Sequence, residues 1–159
     1  MFDILDETCK FENVIIIGDM NARIGEYNSD AVRCNIKQMV ETRNTKDKNT
    51  NRRGEKLIQR ISSDELTVVN GRTPADMNGE LTYIGHNGGS VIDLALTNQR
   101  AQQFLHDFNV KPTDLSDHMM VLLCWGNKRE QEERKESSAI KFTGMQTQRK
   151  NLKKRWSSL

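Results

Sequence analysis

The chain has 159 residues, of which 35% are hydrophobic, and this length fits one domain with a moderate core. The net charge is only +2, but it is uneven: residues 127–159 carry ten Lys or Arg against four Asp or Glu, and residues 1–126 carry 14 against 18. Three widely spaced cysteines exclude a disulfide framework and a zinc site. Neither a signal peptide nor a membrane-length apolar run is present, which predicts an intracellular protein without a membrane partner, in the nucleus or the cytoplasm.

The first predicted elements are a short amphipathic helix over residues 2–12 and a strand over Val14–Ile17. The strand has no polar break, which predicts burial on both faces. Gly18 ends it, and Asp19 and Asn21 follow at its C-terminal end, where α/β folds commonly place their chemistry. A plain Asx turn is the alternative interpretation of these two residues.

The middle of the chain alternates polar loops with short apolar runs. Residues 24–53 are rich in Asn, Arg and Lys and predict a long exposed loop, with a helical turn around Ile36–Val40. Residues 55–61 place apolar side chains at helical spacing. The further predicted elements, in chain order, are strands over 66–70, 80–84 and 90–97, a helix over 99–105, and strands over 108–110 and 119–125. Cys124, in the last of these strands, is predicted to be a reduced core residue.

Two domains of unequal character are predicted. Residues 1–126 contain all the periodic segments, whereas residues 127–159 have no sustained apolar pattern. The second segment therefore predicts a basic, polar and flexible tail.

Three polar motifs lie at comparable places, next to apolar strands. Asp19 and Asn21 follow one strand, Asp93 lies inside another, and Asp117 and His118 precede a third. A charge inside an apolar strand is costly unless it is paired, and an Asp that accepts an imidazole N–H fixes the tautomer of that histidine. The alternatives are a structural hydrogen bond for the aspartate and a satisfied core histidine.

A family resemblance rests on three motifs in this order: GDMNA, SVIDLALTN and SDHMMVLL. Together they resemble the second half of the endonuclease/exonuclease/phosphatase superfamily, which includes abasic-site endonucleases and deoxyribonuclease I. The intervening NRRGEKLIQ, LTVVNGR and GELTYIGHNGGSVID are most similar to the endonuclease domains of non-LTR retrotransposons and to craniofacial development protein 2-like proteins. The resemblance covers roughly residues 11–125.

The resemblance implies an α/β fold with a mixed, mostly antiparallel sheet and flanking helices, about half of a DNase I-like two-sheet sandwich. Residues 1–126 would then be a partial domain that lacks its N-terminal half and the metal-binding Glu found there. This implies impaired activity. It also makes the missing half-domain, or a reverse transcriptase on a longer polyprotein, an expected partner besides DNA.

The resemblance also implies a role for each matching residue. Asp19 would orient or deprotonate the attacking water, and Asn21 would bind the scissile phosphate. His118 would contact that phosphate, and Asp93 would hold the histidine. Asp117 would belong to the network around a divalent cation, Mg²⁺ or Mn²⁺.

The implied function is metal-dependent phosphodiester hydrolysis of DNA, as in apurinic-type or retroelement target-nicking endonucleases. Arg23, Arg52 and Arg53 are candidate nucleic-acid contacts, although such polar runs are more often simply solvated. Two alternatives stay open. One is an inactive retroelement remnant that at most binds nucleic acid, and the other is a phosphatase of the same superfamily.

Overall fold

The structure, a computed structural model, describes residues 11–31, 34 and 39–126. The predicted helix over residues 2–12 lies almost wholly outside these residues, and so do most of the turn around Ile36–Val40 and the whole tail over 127–159. The described elements are β1 (Ile15–Asp19), α1 (Arg52–Ser63), β2 (Leu66–Val68), a 3₁₀ turn (Pro74–Asp76), β3 (Tyr83–Gly85), β4 (Gly88–Ser90), β5 (Asp93–Asn98), α2 (Gln99–Gln102), β6 (Leu105–Lys111) and β7 (Met120–Trp125). No helix in this part of the chain is long and apolar enough to span a membrane.

The strands in the described residues form three small sheets, in the orders β1-β5-β2, β3-β4 and β6-β7. Every one of the described strand pairs is antiparallel. This architecture of small sheets with few helices is compatible with the predicted α/β fold. The mainly antiparallel character is confirmed, but the strands divide among three sheets instead of one.

Helix α1 begins at a capped N-terminus and lies on the first sheet. The side chain of Asn51 accepts a hydrogen bond from the amide of Gly54 at 2.8 Å, which satisfies one of the free N–H groups of the first turn. Leu57 and Ile61, one turn apart, are completely buried in the core with Leu94. Each such side chain contributes roughly 1.5–3 kcal/mol through burial.

Strand β5 is the central strand and is buried on both faces. Leu94 and Leu96 pack into the core under α1, whereas Ala95 between them packs into a second core with Leu105 and Phe108 of β6. This alternation follows from the period of two in a strand. The helix and the β6–β7 pair therefore cover opposite faces of the first sheet.

The prediction that β1 is buried on both faces is wrong. Val14 is buried, but Ile17 is 43% exposed, and Asp19 is exposed as well. Among the described residues, β1 pairs with β5 alone, so it lies at the sheet edge. The prediction of a core position for Cys124 is also wrong: it is exposed in β7, where the side chains alternate between half-buried and exposed.

The predicted exposed loop over residues 24–53 is instead partly buried. Asp30 and Arg72 are completely buried and form an ion pair at 2.6 Å. The second carboxylate oxygen of Asp30 accepts the amide of Val68 at 2.7 Å, which fastens the loop to β2. Arg43 donates to the carbonyl of Gly25 at 2.7 Å, and burial lowers the pKa of its guanidinium to about 10. These partners make burial of a polar loop possible.

Candidate active site

Asp19 and Asn21 form a tight turn at the end of β1. The backbone amide of Asn21 donates to Oδ1 of Asp19 at 2.8 Å, and its side-chain amide donates to Oδ2 at 3.1 Å. Asn21 adopts a left-handed conformation with φ of 49°, which asparagine tolerates better than most residues. The first of these bonds makes the Asx turn that the sequence offered as an alternative. Both side chains are exposed, so the turn presents a carboxylate and an amide to solvent.

Asp93 and His118 are hydrogen-bonded to each other. Nδ1 of His118 lies 3.1 Å from Oδ1 and 3.0 Å from Oδ2 of Asp93, so the ring donates its Nδ1–H to the carboxylate. Asp93 is buried, and His118 is partly exposed. This contact leaves Nε2 of His118 available to other groups and fixes the tautomer of the ring.

The strand register joins this pair to Asp19. Asp19 and Asp93 are directly opposite in the β1–β5 ladder, and cross-strand partners of this kind have side chains on the same face. The structure therefore brings together three motifs that lie up to about a hundred residues apart in the chain, because His118 contacts Asp93. Asp117 precedes His118 and is exposed.

The carboxylates raise the pKa of His118 above its ordinary value of 6.5. The hydrogen bond to Asp93 is the main cause, with smaller attractions from the charges of Asp19 and Asp117. Partial burial of the ring works in the opposite direction. The site therefore favours the imidazolium form, which can stabilise negative charge on a bound group.

Two neighbours of this pair, one in β3 and one directly before it, have no role assigned to them from the sequence. The ring of Tyr83 makes an edge contact with the His118 ring, with centroids 5.0 Å apart and planes at 63°. The hydroxyl oxygen of Thr82 accepts the amide of Asp93 at 2.9 Å. Both contacts depend on long-range pairing, so the GELTYI segment contributes to the resemblance but does not by itself indicate them.

The three candidate nucleic-acid contacts differ in their surroundings. The guanidinium of Arg23 binds both carboxylate oxygens of Asp47, at 2.6 and 2.9 Å, and this hydrogen bonding raises the pKa of the arginine further. Arg52 and Arg53 are exposed in the first turn of α1. A polar cleft of about 360 Å³ lies between Arg23 and the β3–β4 hairpin and is also lined by Tyr83. The cleft is thus adjacent to the ring that contacts His118.

The N-terminus of α1 is fastened to the chain just after Asn21. The backbone amide of Arg23 donates to the side chain of Asn51 at 3.3 Å, and the amide of Asn51 donates to the carbonyl of Arg23 at 3.1 Å. Asn51 therefore caps the helix and also holds the turn that follows β1.

We expect Asn51→Ala to lower the free energy of unfolding by about 1–2 kcal/mol, because it removes a helix cap. Asn51→Asp keeps an acceptor at the same place and should lower the free energy of unfolding much less. Urea titration followed by circular dichroism measures both. Equal losses in the two variants would contradict the capping role.

A metal site is not preformed among the described residues. In this part of the chain, no group of three or more His, Cys, Asp or Glu side chains could hold a metal ion. Mg²⁺, however, is often held by one or two carboxylates, with water and substrate phosphate as the other ligands. The exposed carboxylate of Asp117 is suited to this second mode.

The comparison with protein families agrees with the geometry. The model of one family, described as endonuclease-reverse transcriptase, matches residues 1–122. The chain therefore belongs to this endonuclease-reverse transcriptase family, and through it to the endonuclease/exonuclease/phosphatase superfamily. The family indicates nuclease-type hydrolysis in general and a retrotransposon-related domain. No curated protein and no solved structure matches the chain significantly.

Proposed function

We propose that this domain hydrolyses phosphodiester bonds of DNA with the help of Mg²⁺ or Mn²⁺, as a nicking endonuclease. The observation that carries the proposal is the hydrogen-bonded pair of Asp93 and His118, with Asp19 opposite Asp93 in the sheet. A carboxylate, an imidazolium and an amide donor then share one surface. Phosphodiester hydrolysis needs a base for water and donors for the phosphate oxygens, and this surface offers both.

Each side chain has a role that its environment supports. Asp19 is exposed and can accept a proton from an attacking water. Asn21 carries amide donors, which at present face Asp19 and could turn to a phosphate oxygen. His118 is held by Asp93 through Nδ1, so its Nε2–H can donate to a phosphate oxygen as negative charge develops there.

The electrostatics of the site support a divalent cation. Three carboxylates, Asp19, Asp93 and Asp117, raise the pKa of the single histidine between them. A phosphodiester anion would be repelled by such a surface unless a cation balanced it. Asp117, together with the substrate phosphate, would hold this cation, and the bound ion would neutralise charge on the phosphate.

The surroundings also fit a nucleic-acid substrate. Arg52 and Arg53 are exposed on the first turn of α1, which is fastened to the residues after Asn21, and can contact the phosphate backbone. The polar cleft beside Tyr83 could receive a nucleotide next to the scissile phosphate. We also propose that the described sheets correspond to about half of a DNase I-like sandwich.

Nicking of supercoiled plasmid by residues 1–159 tests this function. We expect conversion to open circles with Mg²⁺ and none with EDTA. Asp19→Ala should abolish the conversion, whereas Asp114→Ala, which removes an exposed carboxylate in the loop before β7, should leave it unchanged. Folded protein that retards DNA in a gel but never nicks it would contradict the proposal and favour a nucleic-acid-binding remnant. Hydrolysis of phosphate monoesters without nicking would favour a phosphatase.

A further inference from the structure

Thr82 is a fully buried residue between the two partners of the Asp93–His118 pair. It lies directly before β3 and has no exposed surface. Its backbone amide donates to the carbonyl of Ser90 at 3.0 Å, which closes the β3–β4 hairpin beside it. Threonine is not required for that bond, since any residue except proline has a backbone amide. The identity of the side chain therefore needs a separate reason.

The hydroxyl of Thr82 binds the backbone on one side of the pair. Its Oγ1 accepts the amide of Ile92 at 3.0 Å and the amide of Asp93 at 2.9 Å. These two amides lead into β5, and Asp93 is the first residue of that strand. A buried amide that loses its acceptor is costly, so this hydroxyl fixes the place where Asp93 enters the sheet.

The backbone of the same residue binds the other side. The carbonyl of Thr82 accepts the amide of Met119 at 2.7 Å, and Tyr83 forms an isolated antiparallel bridge with His118. Thr82 is therefore hydrogen-bonded both to the segment that carries His118 and to the segment that carries Asp93. These segments are 25 residues apart in the sequence.

We propose that Thr82 is a positioning residue, whose hydroxyl sets the place of Asp93 relative to His118. This inference rests on the proposed function, because the pair matters for catalysis only if the domain is a nuclease. The geometric part is independent of it: without the hydroxyl, Asp93 can shift along β5, and its bond to Nδ1 of His118 becomes long or intermittent. A shift of about 1 Å in such a group can cost about 10²-fold in rate.

Three variants of the full chain separate this role from simple stabilisation. Thr82→Val keeps the shape of the side chain and removes the hydroxyl, and Thr82→Ser keeps the hydroxyl. Thr73→Val is the matched control, because Thr73 is equally buried and its hydroxyl also makes two backbone bonds, both to Phe108 of β6. Circular dichroism first establishes that each variant is folded.

The first readout does not need activity. In ¹⁵N-labelled protein, the Nδ1 proton of His118 should exchange with solvent slowly in the wild type, in Thr82→Ser and in Thr73→Val. In Thr82→Val, we expect its exchange to be about 10-fold faster or more. The second readout is nicking, where Thr82→Val should lower kcat by about 10- to 100-fold and leave the KM for DNA within about 2-fold.

The outcomes distinguish the two proposals. A wild type that never nicks contradicts the nuclease function, while the exchange of the Nδ1 proton still decides the role of Thr82. A folded Thr82→Val variant with the exchange rate and kcat of the wild type overturns the positioning role. A Thr82→Ser variant whose kcat falls as far as that of Thr82→Val overturns it as well. If Thr82→Val does not fold, hydrogen exchange of the Ile92 and Asp93 amides in the wild type tests the positioning role instead. Protection of both amides from exchange supports the role, and exchange as fast as in an unstructured chain overturns it.

Discussion

Gly54→Ala should lower the free energy of unfolding by roughly 3 kcal/mol or more. A Cβ atom at this position would lie 1.7 Å from the carbonyl oxygen of Arg23 and 2.6 Å from its carbonyl carbon. Both atoms belong to the backbone, so they cannot turn away as a flexible side chain could. In a solvent-exposed helix, Gly→Ala would raise the free energy of unfolding by about 1 kcal/mol. Here the clash with Arg23 makes the change destabilising instead.

This decrease should be a large part of the total stability, because the free energy of unfolding of a domain is about 5–15 kcal/mol. Urea titration measures it, with Lys56→Ala as the control, since Lys56 is exposed in the same turn of α1 and its loss should stay within about 0.5 kcal/mol. A Gly54→Ala variant as stable as the control would show that α1 can move away from Arg23. Because Arg23 lies two residues after Asn21, the displaced backbone should also disturb the turn at Asp19.

The sequence predicted elements best where one local period decides the structure. The helical spacing of Leu57, Ile58 and Ile61 correctly predicted α1, although the capped helix begins earlier, at Arg52. The long apolar run after His118 correctly predicted β7. The boundaries of the strand predicted over residues 90–97 were wrong: Ser90 ends β4, two residues follow, and β5 begins only at Asp93.

Burial was harder to predict than secondary structure, because partners far apart in the sequence decide it. Residues 24–53 have a polar composition that usually indicates solvation, but the ion pair that buries Asp30 joins it to Arg72, 42 residues away. The apolar run of β1 has the composition of a central strand, yet the topology puts it at the edge beside β5. Composition records neither the partner of a charge nor the order of strands.

The candidate site was partly predictable for a physical reason. A carboxylate in an apolar strand needs a partner, so Asp93 pointed to a histidine elsewhere, and the structure brings it to His118. Thr82 could not be found in this way, because a threonine beside a strand is ordinary and only the tertiary contacts distinguish it. The roles of these residues in catalysis stay predictions until activity is measured.

Asp93→Asn should return the pKa of His118 toward its ordinary value of 6.5, because the hydrogen bond to the Asp93 carboxylate is the main cause of its rise. An NMR titration of the three histidines measures this, with His86 and His106 as references in the same spectra. Asp114→Asn, which removes an exposed carboxylate, is the control and should leave the pKa of His118 unchanged. An Asp93→Asn variant whose His118 still titrates as in the wild type would contradict the pairing.

Asp93→Asn should lower the stability of the fold mainly at low pH, whereas it should lower the nicking activity at every pH. Because the folded-state pKa of His118 is raised, the pair stabilises the fold fully below pH 6.5, and this contribution disappears as the pH rises through the folded-state pKa. The difference in unfolding free energy between wild type and Asp93→Asn should therefore be fully present below the ordinary histidine value of 6.5 and should shrink as the pH rises above it. Nicking should fall by about 10³-fold or more at every pH, since an asparagine can offer its NH₂ group to Nδ1 and so favour the other tautomer of the ring. Loss of stability without loss of nicking would make the pair purely structural.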